Sequence, residues 1–499
     1  MAFRQVFSFV MPAQRKESTK YPWRPSTTAM IDYSDMIQPD KGQDAHAIHL
    51  VDKNSYDEWL NGRSARERAH LAAVGFKPDT FVHAILPGDD PEKWAVVTTV
   101  ANVESLSAWC LAKLGQILPE GRYRVEGRQP GKALFGWMSA QYRFDAYKSK
   151  PPTKGPRVLL TGDVGAIAPM VAEVRAVALV RDLVNTPAAD MGPAAIEKAA
   201  ERIAKAHGGK LTVTKGEALE QGYPMIHAVG RAAAKHHAPR LIEITWGKDD
   251  HPRVALVGKG ISFDSGGLDI KPAAGMRLMK KDMGGAAHVL ALAELIMASG
   301  LPIRLHCLVA AAENAISADA FRPGDVLKSR KGLTVEIGNT DAEGRLVLGD
   351  ALAKAGEAKP ELIVDFATLT GAARVALGPD LPPLFANDDA LADAMLAGGI
   401  ERDDPLWRMP LWDGYADLLE TDIADLGNAG SSPFAGSITA ALFLKRFIPE
   451  GTAWAHLDTF AWRPSAKPGR PKGGAALGLR AAWAMLQSRY DRRGKIEHS

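Results

Sequence analysis

Two stretches of this chain follow one plan, and together they limit what it can fold into. Each is an apolar run that ends in a glycine-rich turn carrying acids. The first runs Val257-Gly-Lys-Gly-Ile-Ser-Phe-Asp-Ser-Gly-Gly-Leu-Asp-Ile-Lys-Pro and continues to Lys280-Lys-Asp-Met-Gly-Gly. The second is Asn339-Thr-Asp-Ala-Glu-Gly-Arg-Leu. Acids at the end of an apolar run suit an open α/β sheet, where the carboxyl ends of the strands form the ligand crevice. The two stretches gather Asp264, Asp282, Asp341 and Glu343 with Lys259, Lys271 and Arg345. Carboxylates in such turns approach one another closely only if positive charge neutralises them. Divalent cations do this well, and the set offers about enough oxygen ligands for two ions. One Asp-Ser-Gly-Gly or Asn-Thr-Asp turn alone is ordinary turn chemistry; the combination is what carries the signal.

The remaining pattern agrees with an α/β chain in two parts. Residues 1–150 read as a smaller α/β domain of unassigned role, 151–170 as a linker around Pro151-Pro-Thr-Lys, and 171–499 as a larger catalytic domain. Its central sheet is expected to be mostly parallel and covered by helices. In the small domain the expected strands are 45–51, 80–86 and 94–100, with helices at 55–60 and 107–118. In the large one, strands are expected at 211–214, 240–246, 254–257, 303–310 and 362–367, and helices at 171–184, 193–207, 284–299 and 346–356. His46, His49, His83 and His288 lie in apolar patterns and read as packed or surface residues, not ligands.

Composition excludes some classes. A hydrophobic fraction of 46% and a charged fraction of 24% belong to an ordinary globular protein. A net charge of +3 gives no reason to make nucleic acid the main partner. The apolar run at 1–11 is too short for a signal-peptide core, and no segment approaches the roughly 20 apolar residues that span a bilayer. Two cysteines, Cys110 and Cys307, read as reduced, buried thiols. The expected compartment is the cytoplasm. The tail 491–499 is charged and expected to fray.

The phrases Gly258-Lys-Gly, Phe263-Asp-Ser-Gly-Gly, Lys271-Pro, Asp282-Met-Gly-Gly and Asn339-Thr-Asp-Ala-Glu-Gly-Arg-Leu resemble the motifs of the leucyl aminopeptidase (cytosol aminopeptidase) family of dinuclear metallopeptidases. Arg181-Asp-Leu-Val-Asn-Thr-Pro, Ala367-Thr-Leu-Thr-Gly-Ala, Asp425-Leu-Gly-Asn and Trp454-Ala-His-Leu-Asp extend the likeness over about residues 170–485. The chain departs from the pattern at Thr459-Phe-Ala, where the family continues Ile-Ala-Gly, and at Val229-Gly-Arg-Ala-Ala. The resemblance implies a metal-dependent aminopeptidase acting on peptides with a free N-terminus, Leu-like first residues preferred, through a water activated by two divalent ions, Zn²⁺ or Mn²⁺. It implies one ion on Lys259, Asp264, Asp282 and Glu343, and a second on Asp264, Asp341 and Glu343. Lys271 is then the oxyanion stabiliser, and Arg345 holds a bicarbonate that relays protons. Met279, Thr368 and Gly371 line the pocket for the first side chain, and six chains assemble. A two-metal phosphoesterase is the nearest rival, but such sites usually recruit His, and neither cluster has one adjoining its acids. A DNA-binding relative without catalysis is the other.

Overall fold

The computed structural model describes residues 32–79, 82–90, 92–150 and 154–491. The expectations for 1–11, the first residues of the strand at 80–86, the Pro-Pro step at 151 and most of the tail at 491–499 lie outside the described residues.

The small domain is built on a six-stranded sheet. Its spatial order is Ile37–Pro39, Arg157–Thr161, Gly121–Val125, His46–Val51, Trp94–Thr99 and His83–Pro87. All neighbours are parallel except the last pair. Arg157–Thr161 falls in the stretch expected as linker, yet it sits inside this sheet, and Ile167–Asn185 already forms the next long helix. The reason is burial: all five residues of Arg157–Thr161 are buried between neighbouring strands. One apolar cluster runs from Tyr123 and Trp137 through Val174 and Val180 to Leu290 and Phe366, so the two parts share a core.

The large sheet has eight strands, ordered Trp407–Arg408, Pro383–Ala386, Ala453–Asp458, Leu362–Ala367, Arg253–Asp264, Arg304–Asn314, Arg240–Trp246 and Lys210–Lys215. The four central strands, from Ala453–Asp458 to Arg304–Asn314, are mutually parallel, while Arg240–Trp246 and Lys210–Lys215 add antiparallel pairs at one flank. Alternate residues feed two cores. Val254, Leu256, Val364 and Phe366 face the cluster that includes helix Gly284–Ser299. Ala255, Val257, Ile363 and Ala367 face the one that includes helix Glu343–Glu357. His288 is fully buried on the first helix and stacks on Phe366, a packed residue as expected. Cys110 and Cys307 are buried and free. No helix among the described residues is long and apolar enough to cross a membrane.

One strand is longer than its sequence pattern suggests. The apolar run 254–257 continues through Gly258-Lys-Gly to Asp264. Gly258 interrupts the pattern because a helix lies against it: a Cβ there would meet Ala286 Cα at 2.8 Å and Gly285 O at 2.9 Å. Gly260 interrupts it because the next strand lies as close, with Ala310 O at 2.8 Å. From the helix side, a Cβ on Gly285 would meet Phe366 O at 2.1 Å and the Lys259 backbone N at 2.8 Å. The register supplies a second feature. Ile261 pairs with Ala312, but Asp264 pairs with Asn314, so one extra residue is bulged out between them. In a regular strand residues 259 and 264 face opposite sides, and the bulge turns Asp264 to the side of Lys259.

Two outcomes follow. Gly285→Ala is expected to cost about 2 kcal/mol or more in a denaturant titration, because the helix has to retreat from the sheet. His288 accepts from Leu477 N–H at Nε2 (3.0 Å) and therefore donates from Nδ1 to Gly284 O (2.7 Å). Burial holds its pKa down at about 4, against the usual 6.5. Between those values the unfolded chain binds a proton that the folded chain refuses, so stability falls as pH drops from 6.5 toward 4. His288→Gln should flatten that part of a stability–pH curve.

Candidate metal centre and active site

The carboxyl ends of the central strands open into a cleft of about 360 Å³. Lys259 and Asp264 come from one strand, Asp282 from the short 3-10 turn Met279–Met283 ahead of helix Gly284–Ser299, and Glu343 from the first position of helix Glu343–Glu357. A helix start carries partial positive charge, which favours the Glu343 carboxylate there. The two sequence clusters are sewn together side by side. Asp269 N–H donates to Thr340 Oγ1 (2.9 Å), and Thr340 N–H donates to Asp269 Oδ2 (2.7 Å). Asn314 Nδ2 bridges Asp264 Oδ1 (2.9 Å) and the Thr340 carbonyl (3.1 Å). Asn428 braces the second turn from behind, accepting from Gly338 N–H (2.9 Å) and donating to Asn339 O (2.7 Å).

The lysines sit between the acids. Lys259 Nζ lies 2.6 Å from Asp282 Oδ2 and 2.9 Å from Glu343 Oε1, and donates to Thr368 O at 3.2 Å. Lys271 Nζ lies 2.8 Å from Asp264 Oδ2 and also pairs with Asp341. Carboxylate oxygens of Asp264, Asp341 and Glu343 come within 4.8 Å of one another. Burial opposes charge on Lys259, yet Asp282 and Glu343 outweigh it and raise its pKa far above the ordinary value. Lys271 is raised in the same way, against burial, chiefly by Asp264. Burial and the nearby Asp264 push Glu343 up to about 8 and raise Asp341 as well. Asp282 resists its burial and falls to about 2, because Lys259 and Lys281 both face it.

These residues fit a cation. Glu343 Oε2 is buried with no donor, and Asp282 Oδ2 and Glu343 Oε1 have no partner but the Lys259 ammonium, at 2.6 and 2.9 Å. Four acids face three lysines, Lys259, Lys271 and Lys281, so the cluster is acid-rich and keeps open oxygen lone pairs. An all-oxygen set with one amine suits a hard or borderline divalent ion.

The other expected residues divide between two cavities. Met279, Thr368 and Gly371 line the cleft beside the acids. The Thr368 hydroxyl is already engaged, donating to Asp282 Oδ1 at 2.8 Å. Arg345 lies outside the cleft lining and faces an adjoining cavity of about 290 Å³ that shares Asp341, Thr370 and Gly371 with it. It makes no ion pair with Asp341 or Glu343. Its Nε and Nη1 have no partner, and burial lowers its pKa to about 10.

Sequence reasoning passed over four contributors. Lys281 is buried, 3.3 Å from Asp282 Oδ1, and lines the cleft; its place next to Asp282 was the available signal. Lys280 Nζ donates to Asn185 O at 2.5 Å, tying the Asp282 turn to the Asn185-Thr-Pro phrase. Asp458 accepts from Leu369 N–H (2.8 Å) and Thr370 Oγ1 (2.6 Å), fixing the loop after Leu362–Ala367. Asn314 gave no local pattern at all.

Comparison with known proteins finds relatives along most of the chain. The profile described as "Cytosol aminopeptidase family, catalytic domain" matches residues 178–482, and that of the "M17 aminopeptidase, N-terminal domain" matches residues 47–159. The likeness thus reaches the small domain, where the sequence offered no motif. A probable cytosol aminopeptidase of Syntrophotalea carbinolica is 40% identical over 369 residues, covering 70% of this chain and 73% of that protein. The crystal structure of cytosol aminopeptidase from Coxiella burnetii superposes with a TM-score of 0.86 at 42% identity, over 91% of this chain and 100% of that one. The bottromycin maturation enzyme BotP, in complex with Mn, gives a TM-score of 0.80 at 31% identity, over 89% of this chain and 100% of that one.

If the open carboxylate oxygens are a cation site, Glu343→Ala should strip divalent metal from the purified protein. Elemental analysis after gel filtration should show the metal content of the variant falling to near zero, while Arg374→Ala on the cleft rim retains it.

Proposed function

The chain belongs to the cytosol aminopeptidase family, and from that premise we propose that it removes N-terminal residues, Leu-like ones preferred, from peptides by hydrolysis at two divalent ions. The observation that carries this reading is the set of four acids held in one cleft, Asp264, Asp282 and Glu343 buried and Asp341 partly open, with Glu343 Oε2 lacking a donor. Lys259, Asp264, Asp282 and Glu343 would hold one ion, and Asp264, Asp341 and Glu343 would hold the other. Zn²⁺ and Mn²⁺ both suit the set. Bound there, the ions lower the pKa of a shared water, polarise the scissile carbonyl and receive the free amine of the substrate.

The protein's own residues do the rest. Lys259 would serve as a ligand in its neutral form, its proton released to solvent because the cation takes over the neutralising of Asp282 and Glu343. Lys271 stays charged. Once Asp264 and Asp341 serve ions, its ammonium is free to face the oxyanion of the tetrahedral intermediate, the role a fixed cation fills best. Arg345 has two unpartnered guanidinium nitrogens next to the cleft and would hold a bicarbonate, which would supply a general base there. Met279, Thr368 and Gly371 receive the first side chain; their small or apolar character favours Leu and Met. The family relation further supports a homohexamer working in the cytoplasm.

Metal-stripped protein should cleave leucinamide only after Mn²⁺ or Zn²⁺ is restored, and should leave N-acetyl-leucinamide intact. Failure to cleave any free-amine substrate with bound metal sinks the proposal. Lys271→Ala should lower kcat by about 10²- to 10³-fold with metal content unchanged, and Arg345→Ala by about 10²-fold, both read from steady-state kinetics.

A further inference from the structure

A second polar cavity, of about 250 Å³, lies where the small and large domains meet. Trp109 and Phe135 of the small domain form one wall. Five cations line it, Arg181, Arg463, Lys467, Arg470 and Arg480, against three acids, Asp380, Asp403 and Asp404. The acids are engaged. Asp404 accepts from the backbone N–H groups of Gly478 (3.0 Å) and Arg480 (2.9 Å) at the start of helix Leu479–Tyr490. Asp403 accepts from Ala108 N–H (2.7 Å) and lies 3.1 Å from Lys132 Nζ, outside the five. Asp380 holds Arg463 at 2.5 Å and Lys467 at 2.6 Å, while Asp403 and Asp404 act on the Arg470 and Arg480 guanidinium groups only through space, without an ion pair.

Three guanidinium groups keep donor capacity. Arg181 is buried and donates only to the carbonyls of Ser139 (3.3 Å) and Gly469 (3.0 Å), with Nε lacking a partner. Arg470 lies over the Trp109 ring at 4.5 Å, makes no ion pair, and its Nε has no partner. Arg480 is 3% exposed and lies 3.6 Å over the Phe135 ring. It pairs with Glu173 through Nε (3.1 Å), but its Nη1 has no partner. Buried donors without acceptors are costly, and a planar guanidinium with a spare edge is the group best matched to phosphate or carboxylate oxygens.

We propose that this interdomain cavity is a binding site for a compact dianion of the phosphate or short dicarboxylate kind, held by Arg181, Arg470 and Arg480 with help from Arg463 and Lys467. The dianion replaces part of what Asp380 now gives Arg463 and Lys467. That exchange reaches the carboxylate cleft. Asp380 lines the cavity while its neighbours Pro379 and Leu381 line the cleft, and Arg463 lines the cavity three residues beyond Phe460, which lines the cleft. An occupant therefore clamps the small domain to the wall of the active cleft.

The test is calorimetric titration of the full-length, metal-loaded protein with inorganic phosphate, sulfate and succinate, with chloride at matched ionic strength as control. One saturable site per chain is expected for a dianion and none for chloride; phosphate and sulfate against succinate identify which class is preferred. Arg470→Gln should weaken binding by about tenfold or more. Lys467→Gln, at an exposed position, should weaken it less, with melting temperatures confirming that both variants fold. Absence of saturable dianion binding by the unaltered protein overturns the proposal. So does binding that is unchanged in both variants, since that places the ion elsewhere.

Discussion

Repulsion among four carboxylates in one cleft is the constraint on which the rest of the large domain depends. Two unit charges 4 Å apart interact by about 4 kcal/mol at the effective dielectric of a protein site, so Asp264, Asp282, Asp341 and Glu343 cannot all stay ionised together without counter-charge. Lys259 and Lys271 supply part of it. Burial, and after it the Asp264 charge, push the Glu343 pKa up to about 8, and Glu343 Oε2 is left without a donor. The same negative charge that makes the cluster costly when empty makes it a tight seat for divalent ions.

Much of the backbone is explained by what it takes to assemble that cluster. A bulge in Arg253–Asp264 brings Asp264 to the side of Lys259. The glycine at 285 lets a helix press against the same strand, which sets Asp282 over Lys259. The Asp269–Thr340 exchange holds the two acid-bearing turns together. Farther out, the Arg463–Asp380 pair ties together the segments 378–383 and 459–463 that wall the cleft. The small domain is joined to the large one through their shared core, although it contributes no acid to the site.

Much of this was legible in the chain itself. The strands Arg240–Trp246 and Leu362–Ala367 and the helix Gly284–Ser299 fall where their apolar periods place them, and the acid-bearing motifs named the residues that meet in the cleft. What escaped depends on partners distant in sequence. Arg253–Asp264 looked short because Gly258 answers to a helix and Gly260 to a neighbouring strand, neither of which the local pattern reveals. Arg157–Thr161 follows a Pro-rich stretch and read as linker, though its place is fixed by burial between strands 36 residues and more than 100 residues earlier in the chain. Asn314 reaches Asp264 across 50 residues, and no spacing rule announces such a contact. Arg345 named itself by motif, but only the fold shows that it looks into a cavity of its own.

The most direct test of the central claim is a crystal structure of the protein soaked with Mn²⁺, with anomalous maps collected at the metal edge. Two adjacent peaks are expected, both within ligand distance of Asp264 and Glu343 and one of them within ligand distance of Lys259 Nζ. A cleft without peaks, a single ion, or Lys259 still paired with Asp282 and Glu343 beside bound metal would contradict it.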